Sequence, residues 1–103
     1  LVFMDGDTTL VEVQDFGSNS GSAWQTFEDY LLTWEPAVGF PHFGSMEYNP
    51  ELEVQLAYNF DQIVVAYHRE ALPLLLPYTQ RFDDISWWYC GAVQNALAAA
   101  VYN

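Results

Sequence analysis

Apolar residues open the chain as a short run, Leu1-Val2-Phe3-Met4, and a β-rich pattern resumes after Asp5-Gly6-Asp7 in Thr9-Leu10-Val11-Glu12-Val13-Gln14. Two such segments about an acidic, Gly-containing turn predict a hairpin over residues 1–14. Gly17-Ser18-Asn19-Ser20-Gly21 then reads as a loop. From Ser22 the period changes. Trp24, Phe27, Leu31 and Trp34 recur at helical spacing on one face, with Glu28 and Asp29 off that stripe. Ser22 and Gln25 fit a capping box, in which the Ser hydroxyl takes a free amide of the first turn and the Gln side chain reaches back. Pro36 ends this helix, because the residue before a proline is pushed out of the α region. Residues 36–50 hold Pro36, Pro41 and Pro50 with Gly39 and Gly44, and read as a long loop.

Residues 51–68 carry two periods at once. Leu52, Val54, Leu56 and Tyr58 alternate with Glu53, Gln55, Ala57 and Asn59, and Ile63-Val64-Val65-Ala66-Tyr67 is rich in β-branched residues. That pattern predicts two strands about a turn at 59–62. Asn49-Pro50-Glu51 is also a good helix start, and Leu52, Leu56, Phe60, Ile63, Tyr67 and Ala71 fit a helical stripe. Two strands are the tighter match. Residues 71–78 are apolar with two prolines, which suits a buried connection or a short helix better than a central strand. A second long helix is expected from Asp84, as its N-cap, to Tyr102. The fold class predicted is α+β: a single domain over 1–103, with an antiparallel sheet of about four strands packed on two main helices. The alternative is a mostly α chain with an N-terminal hairpin.

Composition supports a core and limits the chemistry. Of 103 residues, 51% are hydrophobic and 17% aromatic, far from the profile of a disordered chain. Fourteen Asp and Glu face only Arg69 and Arg81, with no lysine, for a net charge of −12. A field of this sign repels nucleic acid and anionic lipid, whose phosphates need Lys and Arg. Without lysine there is no Schiff-base chemistry and no P-loop. The lone Cys90 excludes an intrachain disulfide framework and a cysteine-rich zinc site, and points to a reducing, cytoplasmic setting. No basic segment precedes an apolar one at the start, so no signal peptide is expected. The stretch from Ile85 to Tyr102 lacks charge, but its Ser, Gln, Asn, Gly and five alanines make it too weakly apolar to span a membrane. A helix apolar nearly all round is then expected to be buried on several sides, as a central helix or a subunit interface.

The Val2–Leu10 string, an apolar run followed by Asp5, Asp7 and Thr9, resembles the first motif of haloacid-dehalogenase-like phosphotransferases. The resemblance implies Asp5 as nucleophile and Asp7 as acid/base. That family also needs a lysine and a longer doubly wound sheet, so the string is taken as an acidic turn. His42 and His68 are the only imidazoles, without HxH or HxxxH spacing, and no metal or cofactor is expected. Cys90 follows Trp87-Trp88-Tyr89 and has no basic neighbour in sequence to favour a thiolate.

Aromatics beside acids carry the binding expectation. Asp83 and Asp84 precede Trp87 and Trp88, and Trp24 lies one helical turn before Glu28. A carboxylate and an aromatic face together attract an ammonium or guanidinium group. Adjacent Trp87 and Trp88 cannot both face one core from a helix, so one of them points to another layer, a subunit or a ligand. The leading expectation is a non-catalytic acidic protein presenting these residues to a basic protein partner, in the manner of inhibitors, immunity proteins and nucleic-acid mimics. A binder of a cationic small molecule in an acidic, aromatic-lined pocket comes second, and a small His/carboxylate enzyme third. Two small-residue rows complete the picture: Gly91, Asn95 and Ala99, and next to it Trp88, Ala92, Ala96 and Ala100. At least one row is expected to pack against its own fold, and the second to form a homodimer interface.

Overall fold

The apolar run at Ile63–Tyr67 becomes the centre of the molecule. In the structure, a computed structural model that describes residues 1–11, 22–42, 49–57, 59–60, 63–76, 79–81, 84–86 and 88–102, Val64–Tyr67 form a strand with every residue buried. The elements in chain order are β1 (Val2–Met4), α1 (Ala23–Trp34), β2 (Val38–Gly39), β3 (Val64–Tyr67), α2 (Leu72–Leu75) and α3 (Trp88–Tyr102). The sheet has the order β1-β3-β2 and is antiparallel throughout, with Val2 opposite Ala66, Phe3 opposite Val65, Met4 opposite Val64, and Val38 opposite Tyr67.

Side chains alternate across a strand, and β3 uses both faces. Val64 and Ala66 pack with Phe27, Tyr30 and Leu31 of α1. Val65 and Tyr67 pack with Ala71, Leu72 and Leu75 around α2 and with Leu97 and Ala98 of α3. The result is a small α+β domain in which one short sheet lies between α1 and the α2–α3 pair. A strand covered on both faces needs no polar alternation, which is why the run is continuously apolar.

Several expectations change. The N-terminal strand exists, but its partner is β3 rather than residues 9–11, which form no strand; residues 12–14 lie outside the described residues. Backbone bonds run from the Leu1 amine to Tyr67 O at 3.1 Å, from Tyr67 N to Leu1 O at 2.8 Å and from Asp5 N to Ile63 O at 2.9 Å. Of the two strands expected over 51–68 only the second forms. Asn49 commits the start of that segment to a turn: its side chain accepts from Glu51 N and its carbonyl from Leu52 N. Residues 51–57 hold neither strand nor helix, and Leu56 is 90% exposed. Among the described residues the sheet therefore has three strands. The third comes from within the expected long loop, as β2, while residues 43–48 of that loop lie outside the described residues.

Gly39 shows why β2 can lie so close to α1. A Cβ there would sit 2.7 Å from Leu31 Cδ2, 2.8 Å from Pro36 Cγ and 3.1 Å from Tyr30 Cε1. The end of α1 packs directly on glycine backbone. Gly39→Ala is expected to cost about 1–3 kcal/mol through this overpacking, seen as a lower urea midpoint at unchanged slope.

Helix α1 keeps half of its predicted cap. Ser22 Oγ accepts from Gln25 N at 3.1 Å, but the Gln25 side chain donates forward to Asp29 Oδ1 at 3.0 Å instead of reaching back. Glu35 closes the helix in the left-handed region at φ 42, its N–H bonded to Leu31 O, and Pro36 follows. The expected short helix over 71–78 is α2, with Pro73 in its first turn where no amide is needed. Helix α3 begins at Trp88, four residues after the expected N-cap. Asp84 lies in a turn, and Ser86 Oγ accepts from Trp88 N at 3.3 Å.

Candidate functional site

The expected apolar stripe of α1 divides in two. Phe27 is buried, with Tyr30 and Leu31 beside it against β3, while Trp24 and Trp34 stay exposed. Trp24 meets the Phe27 ring in an edge-on contact at 6.2 Å and 60°. At 41% exposure its ring remains available to solvent. Helical spacing places Trp24, Glu28 and Leu32 in one outward row, flanked by Gln25 and Asp29, and each of these residues is exposed. Leu32 was not singled out from the sequence, because its neighbour Leu31 completed the apolar stripe. The Gln25–Asp29 bond holds one carboxylate beside this row. Beneath it, burial pushes the pKa of the Tyr30 hydroxyl above its ordinary value.

The second expected cluster is only partly described. Asp83 and Trp87 lie outside the described residues. Asp84 is exposed in its turn, and Trp88 is 59% exposed at the start of α3. Of the two adjacent tryptophans, Trp88 is therefore one that points away from the core. The structure does not bring the α1 and α3 clusters together: α1 packs on one face of the sheet and α3 on the other.

The remaining candidates keep to local roles. Asp5 and Asp7 are exposed about a turn in which Thr8 N bonds Asp5 O at 3.1 Å, at the end of an edge strand. His68 Nδ1 accepts from Glu70 N at 3.2 Å, which ties that nitrogen to its own loop. His42 is exposed, and Cys90 is half-buried on α3. Among the described residues no three His, Cys, Asp or Glu side chains gather to hold a metal ion, and no helix is long and apolar enough to cross a membrane.

Helix α3 reverses the expected polarity. Its one buried side chain is Gln94, 2% exposed, whose Nε2 donates to Leu75 O at 2.8 Å while its Oε1 accepts from the Tyr67 hydroxyl at 3.1 Å. Asn95 accepts from Phe60 N at 2.7 Å and donates to Phe60 O and Gly91 O. Of the two small-residue rows, Gly91, Asn95 and Ala99 are half-buried against the fold, whereas Trp88, Ala92, Ala96 and Ala100 are exposed. Comparison with protein-family models, with curated proteins and with solved structures finds no match to this chain.

Proposed function

We propose that this chain is a non-catalytic acidic binding protein that meets a basic protein partner through the outer face of α1. The observation that carries the reading is the Trp24–Glu28–Leu32 row: an aromatic, a carboxylate and an aliphatic side chain share one solvent-facing strip, with Asp29 fixed beside it. An Arg or Lys of the partner gains from the indole face and the carboxylates together, and an apolar side chain of the partner covers Leu32. Every acidic residue among the described residues is exposed, so the −12 field extends into solvent, where it speeds encounter with a basic surface and repels nucleic acid. A reducing, cytoplasmic setting fits the lone Cys90.

The test is titration of a basic ribonuclease and of a poly-arginine peptide, with duplex DNA as the negative control. Binding is expected at low salt and is expected to persist at about 150 mM, where screening limits purely long-range attraction. Trp24→Ala combined with Glu28→Gln is expected to weaken it roughly threefold to thirtyfold, the range of one cation–π contact with a partly desolvated charge. Equal affinity of wild type and double variant for both probes would reduce the attraction to net charge and remove α1 as the site.

A further inference from the structure

Helix α3 is amphipathic in the wrong sense for a free surface. The side turned to the fold carries Gln94 and Asn95, with Gly91, Leu97 and Ala98. The side turned to solvent carries Trp88, Tyr89, Ala92, Val93, Ala96 and Ala100. Exposed apolar residues also lie at Ile85 before the helix and at Val101 and Tyr102 at its end, the last two in line with the inner side. Contiguous exposed apolar area of this kind marks an interaction surface.

The charge pattern selects the occupant. Two copies of a −12 chain repel wherever their carboxylates meet, and α3 carries no charged residue. Within the helix no acid stands in the first turn and no base in the last, so its dipole has no charged partner of its own there. An antiparallel copy of the same helix supplies both ends. The shape of the face fits that arrangement: its bulk lies at Trp88 and Tyr89, and its small residues lie at Ala96 and Ala100. We propose that the outer face of α3 is an interface between two copies of this chain. They pack antiparallel about a two-fold axis between Ala92 and Ala96, with Trp88 over the partner's Ala100. Ala92 then faces the partner's Ala96, where small side chains allow close approach. The contact is isologous and closes on itself as a dimer. It does not depend on the α1 reading, since the two faces lie on opposite sides of the sheet.

Sedimentation of the 103-residue chain tests it. A dimer is expected at tens of micromolar, dissociating on dilution, and tightening as salt screens the repulsion between the two acidic bodies. Binding of a basic partner weakens with salt, so the two associations respond with opposite sign and fail separately. Ala96→Glu is expected to give a monomer with unchanged far-UV circular dichroism, because position 96 is exposed within one copy. If that variant unfolds, Trp88→Ala decides: a folded protein with at least tenfold weaker dimerisation supports the interface, and a dimer as tight as wild type overturns it. A wild-type chain that stays monomeric to hundreds of micromolar overturns it as well, as does a dimer that loosens with salt.

Discussion

Truncating Leu75 to alanine is expected to lower stability by about 2–5 kcal/mol, the range for a large aliphatic side chain removed from a close-packed site. Leu75 is 1% exposed and belongs to the cluster formed by Val65, Tyr67 and Ala71, where Leu97 and Ala98 of α3 also pack. Within α2, Leu75 is the buried side chain. The four residues of α2 cannot sustain a helix alone, because nucleation costs more than so few bonds return. The loss is therefore expected to loosen α2 and α3 together. A single cooperative urea transition with a lower midpoint checks it. For a domain of this size a loss of 2 kcal/mol lowers the melting temperature by roughly 8 °C or more. A midpoint within error of wild type would mean that the α2–α3 layer is not part of the cooperative unit.

Replacing Gln94 by leucine keeps the side-chain volume close and removes its hydrogen bonds to Tyr67 and Leu75. The Leu75 carbonyl loses the amide it accepts from, and the Tyr67 hydroxyl loses an acceptor. Stranding buried polar groups costs about 1–3 kcal/mol each, so for these two a loss of about 2–6 kcal/mol is expected. The cycle with Tyr67→Phe separates this from packing. With the hydroxyl already gone, Gln94→Leu is expected to cost less, and the coupling energy isolates the bond. Additive losses would show that Gln94 acts through volume alone. Gln94 also helps to fix the rotation of α3, since its amide bonds Tyr67 of β3 and Leu75 of α2. Turning the helix to bury Trp88 and Val93 instead would break these bonds.

That rotation explains what the sequence did and did not reveal. The α3 helix was legible, because an uncharged, Ala-rich stretch without proline has few alternatives. Its orientation was not, because uniform apolarity gives no preferred face, and the choice fell to two amides whose partners, Tyr67, Leu75 and Phe60, are distant in sequence. Helix α1 was legible from Ser22, the Phe27–Leu31 spacing and Pro36, all local signals. The pair Trp24 and Glu28 was legible too, and the structure keeps both outward. The strand β3 was visible as a β-branched run, but its partners were not. The alternation at 52–57 is a good strand pattern, yet Asn49 opens that segment as a turn and Leu56 is left in solvent. Local periodicity does not record whether a partner strand is at hand. The two-residue β2 left no period at all, and Gly39 looked like loop punctuation when its role is to let α1 approach.

The antiparallel ladder between Leu1–Asp5 and Ile63–Tyr67 also imposes an order of events. On a ribosome the apolar Leu1–Met4 segment emerges well before its partner, which is complete only after Tyr67 has been synthesised. During that interval a sticky run with no cation or carboxylate of its own has no native mate, and the closing loop is long enough to make the pairing slow. The Asp5-Gly6-Asp7 turn that follows at once becomes a gatekeeper: its two carboxylates travel with the exposed strand and discourage association with other nascent chains until β3 arrives.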